Sequence, residues 1–175
     1  IKMNITDVKL DWVKYENQDL RGVLFDKQNE LRELYKVPIC DIDIPADQQQ
    51  LRAMAWNVVE EASEALEAAH HPDHLLDELA DMTAFYIELL QMSGLSFDDI
   101  INDFIAWDEE ESGDYNVQSV AFRQFIEPLA IAINTLKNRY CRKTNLKTHK
   151  NKYHDRLKKT LHLFKDFVRS FGISF

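Results

Sequence analysis

One stretch of this 175-residue chain constrains its fold most: residues 47–69 contain no glycine or proline and are rich in Ala, Leu, Glu and Gln. These residue types favour helix, so the stretch predicts a long α-helix. The whole chain has four Gly and four Pro, too few for the many tight turns of a β-sandwich or β-barrel. We therefore expect an all-α protein.

Apolar residues at helical spacing, with glycine and proline at the breaks, predict further helices. They cover about 19–35, 74–93, 96–107, 117–140 and 149–171, and the proline-containing residues 36–45 are expected to be an extended connector. Pro72 lets helices 47–69 and 74–93 fold back as an antiparallel hairpin. No segment predicts a strand. We expect a helical bundle built around this hairpin, as a single domain over residues 1–175.

The second half of the chain also resembles the first. Gly-Leu-Ser-Phe at 94–97 returns as Gly-Ile-Ser-Phe at 172–175, an offset of 78, and residues 59–60 resemble 126–127 at an offset of 67. Two interpretations stay open: a degenerate second hairpin, or a chance likeness of two amphipathic helices that end in a glycine cap. We expect residues 19–107 to hold the first hairpin with its flanking helices and residues 117–175 to form a basic helical hairpin. In a true repeat the acidic positions are not kept: Glu61, Glu64, Glu78 and Asp81 correspond to Pro128, Ile131, Arg156 and Lys159.

The net charge of −9 hides an asymmetry along the chain. Residues 1–121 carry 8 basic and 27 acidic side chains, whereas residues 122–175 carry 13 basic and 3 acidic ones. A basic segment beside an acidic body is compatible with nucleic-acid binding, with an acidic ligand, or with two faces that pair. Composition alone does not choose among these alternatives.

The informative pattern is a set of carboxylates on the first hairpin. Glu61 and Glu64 lie three residues apart, with Glu60 beside them, and Glu78 and Asp81 repeat that spacing on the next helix. Side chains three or four positions apart share a helix face, so four carboxylates can converge between the two helices.

Clustered carboxylates repel one another, and a bound divalent cation relieves that repulsion. Hard cations such as Mg²⁺ or Mn²⁺ prefer oxygen ligands, and they bind polyphosphates and activate water. The alternative is a solvated acidic face paired with Lys or Arg. Residues 53–90 contain no Lys or Arg, which favours the metal site.

Glu60-Glu61-x-x-Glu64 followed by Glu78-x-x-Asp81 resembles the signature of the all-α nucleoside triphosphate pyrophosphohydrolases, over about residues 28–101. This superfamily includes the MazG proteins, the dimeric dUTPases and dCTPases, and phosphoribosyl-ATP pyrophosphohydrolase. The resemblance implies Mg²⁺-dependent cleavage of a (d)NTP to (d)NMP and pyrophosphate, in a homodimer or homotetramer. It also implies that the metal ligands are Glu61, Glu64, Glu78 and Asp81, with Glu60 as an outer carboxylate or an orienter of the attacking water.

Substrate contacts are harder to assign. The first helix resembles that of dimeric dUTPases, in which an amide reads the pyrimidine, so Gln28 and then Asn29 are candidates. Trp56 either stacks on a base or lies in the core, and its spacing to Val59 favours the core. The C-terminal phosphate-binding segment of the dUTPases is not found here; basic residues that could take its place are Lys137, Arg139, Lys158 and Lys159.

We therefore expect a hydrolase with a dUTPase- or dCTPase-like preference. A broad MazG-type activity is the alternative within the class. A non-catalytic module that binds nucleic acid through its basic third is the alternative outside it, and the acidic body disfavours that because it repels phosphate backbones. Two cysteines without a metal or disulfide pattern, no secretory signal and no long apolar run indicate a cytoplasmic protein without a membrane segment.

Overall fold

The computed structural model describes residues 18–108, 118–139 and 143–173, and for 103–108 the backbone alone. Within these ranges the regular structure is helical and no strand occurs, so the predicted all-α class is confirmed. The α-helices in chain order are α1 (Leu20–Leu34), α2 (Pro45–Glu67), α3 (Pro72–Met92), α4 (Phe97–Asp108), α5 (Gln118–Ile133), α6 (Lys150–Lys158) and α7 (Thr160–Arg169).

Helices α2 and α3 form the predicted hairpin, joined by a short 3₁₀ turn at Ala68–His70. Each begins with a proline, where the missing N–H costs no hydrogen bond. Small buried residues of α2, such as Ala62 and Ala65, let α3 pack closely against it. Gly94 follows α3 with a φ of 78°, a left-handed conformation that glycine adopts without strain.

The C-terminal region departs from prediction at two points. Helix α5 ends at Ile133 and not near residue 140, because the backbone N–H of the buried Asn138 donates to the Gln48 side chain and its own amide pairs with Leu146. The expected helix over 149–171 is two helices that break at Lys159. The Thr160 hydroxyl there donates to the Leu157 carbonyl, a local bond that competes with the helical pattern.

The C-terminal helices α5 and α7 pack against the α2–α3 hairpin. Helix α5 packs against α6 and α7 and also against α2, while α1 lies on α3. The buried Tyr86 of α3 stacks on Phe164 of α7 with ring centroids 4.5 Å apart, and its hydroxyl bonds Thr160. Among the described helices none combines the length and apolar character needed to cross a bilayer.

Candidate metal centre

Three glutamates meet between α2 and α3. Glu61 and Glu64 project from α2 and Glu78 from α3, and each offers a carboxylate oxygen within 4.8 Å of the other two. The i, i+3 spacing on α2 puts its two carboxylates on the face that α3 covers. The hairpin turn after Glu67 then brings Glu78 opposite them. The structure thus brings these three side chains together, as the sequence predicts.

The depth of the cluster differs from residue to residue. Glu78 is 7% exposed, Glu61 is half-buried and Glu64 faces solvent. The neighbours Ala62, Ala65 and Leu79 are fully or almost fully buried, so the cluster sits at the edge of the core. A ligand can approach from the side of Glu64.

Burial and mutual repulsion disfavour the charged forms of the clustered carboxylates. Burial, then the like charges of Glu64 and Asp81, and then a hydrogen bond with Glu78, raise the pKa of Glu61 to about 7. Burial followed by repulsion from Glu78 and Asp77 also raises the pKa of Asp81. The carboxylates of the cluster therefore repel one another, and a bound cation would relieve that repulsion.

Asp81 is exposed and is not one of the three clustered glutamates, but its charge acts on Glu61 and helps to raise the pKa of that side chain. A residue that the sequence reasoning missed is His74. Its Nδ1 lies 3.1 Å from an oxygen of Glu78, one turn away on α3. The i, i+4 spacing of His74 and Glu78 was a usable signal. This contact orients the most buried carboxylate.

These donors fit a divalent cation. Oxygen ligands lie about 2.0–2.1 Å from Mg²⁺ and about 2.3–2.6 Å from Ca²⁺, so two ligands are at most about 4.2 Å apart around Mg²⁺ and about 5.2 Å apart around Ca²⁺. The oxygens of the trio lie within 4.8 Å of one another, which meets the Ca²⁺ limit directly and the Mg²⁺ limit after they close by at most about 0.6 Å. Three or four carboxylates with no Lys or Arg in residues 53–90 form a hard, anionic donor set. The same residues could bind the ion and lose their mutual repulsion.

The side chain of Gln28 faces α3. Its Nε2 donates to an oxygen of Glu88 at 3.1 Å, and Arg32 also acts on Glu88. Glu88 lies seven residues after Asp81, which is two turns along the same face of α3. Gln28 and Glu88 therefore lie on the face of α3 that carries Asp81, about 10.5 Å further along the helix. Glu88 was not predicted, although its spacing to Asp81 marks it.

Asn29 points along its own helix, where it contacts Glu33 and Arg32. The basic candidates are also not assembled around the carboxylates. Lys137 bonds Asn134, and Lys158 donates to the carbonyl of Asp99, near the end of α3 that is farthest from Glu78. Lys159 is exposed at the break between α6 and α7.

Trp56 is 61% exposed, so the expectation that it lies in the core is wrong. Its spacing to Val59 is helical, but Val59 itself is half-buried at the edge of α5. The indole Nε1 donates to Glu60 at 2.7 Å, which holds Glu60 on this side of α2. Arg139 lines the same groove as Trp56. Trp56, Glu60 and Glu64 follow one another at i, i+4 spacing along α2 and so share a face, from which Glu61 projects to the side.

The all-α fold and the glutamate cluster are similar to what is expected of the all-α nucleotide pyrophosphohydrolases, hydrolases that act on phosphoric anhydride bonds. Within that class, the model of one family, phosphoribosyl-ATP pyrophosphohydrolase, matches residues 29–106. This family belongs to the MazG-like superfamily. The match covers fewer than half of the 175 residues and includes all of α2 and α3. No curated protein and no solved structure matches the chain significantly.

Proposed function

We propose that this protein is a Mg²⁺-dependent nucleoside triphosphate pyrophosphohydrolase that converts a (d)NTP to (d)NMP and pyrophosphate, with Mn²⁺ able to substitute. One observation carries the proposal: three carboxylates lie within 4.8 Å of one another inside the segment that a pyrophosphohydrolase family matches. Mg²⁺ prefers such oxygen donors and pairs naturally with phosphate.

The proposed ligands are Glu61, Glu64, Glu78 and Asp81. When bound, the cation supplies Lewis-acid chemistry, because it neutralises phosphate oxygens and makes a water more acidic. The chain itself holds the donors in place. His74 orients Glu78, and the buried alanines of α2 fix the backbone that carries Glu61. Preorganised donors of this kind need little rearrangement when charge develops on the phosphates.

Two further roles belong to the proposal. We assign Glu60 as an outer carboxylate, which the Trp56 indole holds in one orientation. Gln28 is assigned as the contact to the base, because it bonds Glu88, which lies on the same face of α3 as Asp81. An amide both donates and accepts, which suits a pyrimidine edge. A dUTPase- or dCTPase-like preference follows from that assignment.

Assembly into a homodimer or homotetramer is also proposed. The outer face of α1 carries four leucines that are 43–58% exposed: Leu20, Leu24, Leu31 and Leu34. Apolar surface of this kind is buried favourably against a second copy. Sedimentation velocity measures the oligomeric state, and a monomer at all concentrations contradicts this part.

The activity is tested by pyrophosphate release from the eight common NTPs and dNTPs, dUTP and phosphoribosyl-ATP, with Mg²⁺ or with EDTA. We expect Mg²⁺-dependent release that is fastest with a pyrimidine substrate. Glu61→Gln and Asp81→Asn should abolish it, whereas the exposed control Glu127→Gln in α5 should not. Similar rates with all bases would replace the pyrimidine preference with a broad MazG-type activity. No release from any substrate would refute the function.

A further inference from the structure

A cavity of about 300 Å³ lies between α2 and α5, away from the carboxylates. Val59, Ile126 and Leu129 are among the apolar side chains that line it, and its polar residues include Arg52 and Arg139. Ligand pockets begin at about this size, with apolar walls and a few polar groups. The space suits a single small molecule.

The two arginines have no anionic partner among the described residues. One nitrogen of Arg52, Nη2, donates to the Leu136 carbonyl and the Gln48 amide oxygen, while the other, Nη1, is buried without a hydrogen-bond partner. Burial, and then the nearby Arg139, lower the pKa of Arg52. Two guanidinium groups that repel each other and one unpaired buried donor point to a missing anion.

Trp56 supplies a flat aromatic surface in the same cavity. Its side chain is 61% exposed, and the hydrogen bond from its indole to Glu60 fixes the ring. Nucleobases stack on exposed aromatic side chains, and this stabilises their binding. Trp56 and the two arginines line the same cavity, so a surface for an aromatic ring lies beside a surface for an anion.

This cavity is separate from the metal centre. Arg52 precedes Glu61 by nine residues of α2, which corresponds to about 13.5 Å along the axis and a rotation of about half a turn. The two side chains point to opposite sides of the helix. A triphosphate held by Glu61 and Glu78 thus leaves the α2–α5 cavity free.

We propose that the α2–α5 cavity is a second ligand site, for a nucleoside monophosphate. The base lies against Trp56, and the phosphate lies between Arg52 and Arg139. A phosphate monoester carries a charge of about −1.5 to −2 at neutral pH, which balances two guanidinium groups. The binding requires no divalent cation. That the ligand is also a product of this protein rests on the proposed function, but the binding itself does not.

Binding is measured by isothermal titration calorimetry with AMP and with dUMP in EDTA, which removes the metal centre from the experiment. We expect Arg139→Gln to weaken Kd at least about tenfold, equivalent to about 1.4 kcal/mol. Arg139 is exposed and makes no hydrogen bond with the residues that the structure describes, so this change should leave the fold intact. Trp56→Leu should weaken binding to a similar extent. The matched control Lys137→Gln removes a charge from the same segment and should leave Kd within about twofold.

Two further comparisons sharpen the assignment. Uridine, adenosine and inorganic phosphate should each bind more weakly than the monophosphates, since each lacks half of the ligand. Glu61→Gln should bind AMP and dUMP normally even when it has lost all turnover, which separates this site from the proposed activity.

Four results would overturn the second site. The first is no monophosphate binding at millimolar concentration, and the second is a Kd that neither Arg139→Gln nor Trp56→Leu changes. The third is binding that requires Mg²⁺ or is lost in Glu61→Gln, and the fourth is tighter binding of a single-stranded oligonucleotide than of AMP or dUMP. The last result would assign the cavity to nucleic acid.

Discussion

The α2–α3 hairpin and the helices α5, α6 and α7 bury their residues in the same pattern but differ in charge. With the sequence offset of 67, buried Val58, Ala62 and Ala65 correspond to buried Phe125, Leu129 and Ala132. With the offset of 78, the pairs that are buried in both regions are Leu75 and Tyr153, Leu79 and Leu157, Met82 and Thr160, Tyr86 and Phe164, Ile87 and Lys165, Leu89 and Phe167, and Leu90 and Val168.

Two corresponding residues also touch each other. Tyr86 and Phe164 stack with an interplanar angle of 16°, as expected where a local twofold relation brings equivalent positions together. The glycines after α3 and α7 share a φ of 78° and 77°. These agreements favour a degenerate repeat over a chance likeness.

The polar positions of the two regions, in contrast, differ in residue type and charge. Glu64 and Glu78 approach within 4.8 Å in the first region. Their counterparts are Ile131 and Arg156, and Arg156 donates to the Ile131 carbonyl and to the Thr135 hydroxyl. The two counterparts are thus also in contact, although neither is a carboxylate. We infer that the burial pattern serves the fold and the carboxylates of the first region serve function.

The largest expected effect distinguishes one corresponding pair, Glu78 and Arg156. Glu78→Gln should lower kcat/KM for pyrophosphate release by more than about 10³-fold, because it removes a ligand that no neighbour replaces. Arg156→Gln, at the corresponding position, should change kcat/KM by less than about twofold. Steady-state kinetics on both variants measure this. Equal losses would mean that the two regions share the catalytic role.

A second test examines whether both regions support the fold alike. Leu79→Ala and Leu157→Ala each remove a buried side chain, and each should lower the free energy of unfolding by about 2–5 kcal/mol. Leu76→Ala, on α3 but 54% exposed, should cost less than about 0.5 kcal/mol. Urea denaturation measures all three. A cost below about 1 kcal/mol for either buried leucine would contradict equivalent packing.

A third test concerns the strain in the carboxylate cluster. In EDTA at pH 8, Glu61→Gln should raise the free energy of unfolding by about 1 kcal/mol, or Tm by about 2–4 °C, because repulsion among the carboxylates falls. Mg²⁺ should raise Tm of the unmodified protein and not of this variant. Differential scanning calorimetry provides both values. A variant that is less stable in EDTA would show that the cluster is not repulsive.

The smallest effect compares the two helix ends. Gly94→Ala and Gly172→Ala should each cost about 1 kcal/mol, because an L residue is strained at positive φ. A Cβ at Gly94 would lie 3.7 Å from Ile39, and a Cβ at Gly172 would contact nothing within 4 Å, so neither substitution creates a clash. Thermal unfolding should therefore give similar costs. A difference above about 1 kcal/mol would break the correspondence of these ends.

The sequence predicts the first four helices well, because glycine, proline and apolar spacing mark their ends locally. It also predicts the carboxylate trio, since helical spacing and a short turn determine where those side chains lie. It fails where contacts link residues that are distant in the chain. The hydrogen bond from Asn138 to Gln48 ends α5 early, and the pocket against α5 leaves Trp56 exposed.

The proposed role of the α2–α3 carboxylates is to hold a divalent cation for cleavage between the α- and β-phosphates. ³¹P NMR of the products formed from the preferred triphosphate with Mg²⁺ tests this role. We expect nucleoside monophosphate and pyrophosphate in equal amounts, and neither in EDTA or with Glu61→Gln. Nucleoside diphosphate with inorganic phosphate, or the same products without a divalent cation, would contradict it.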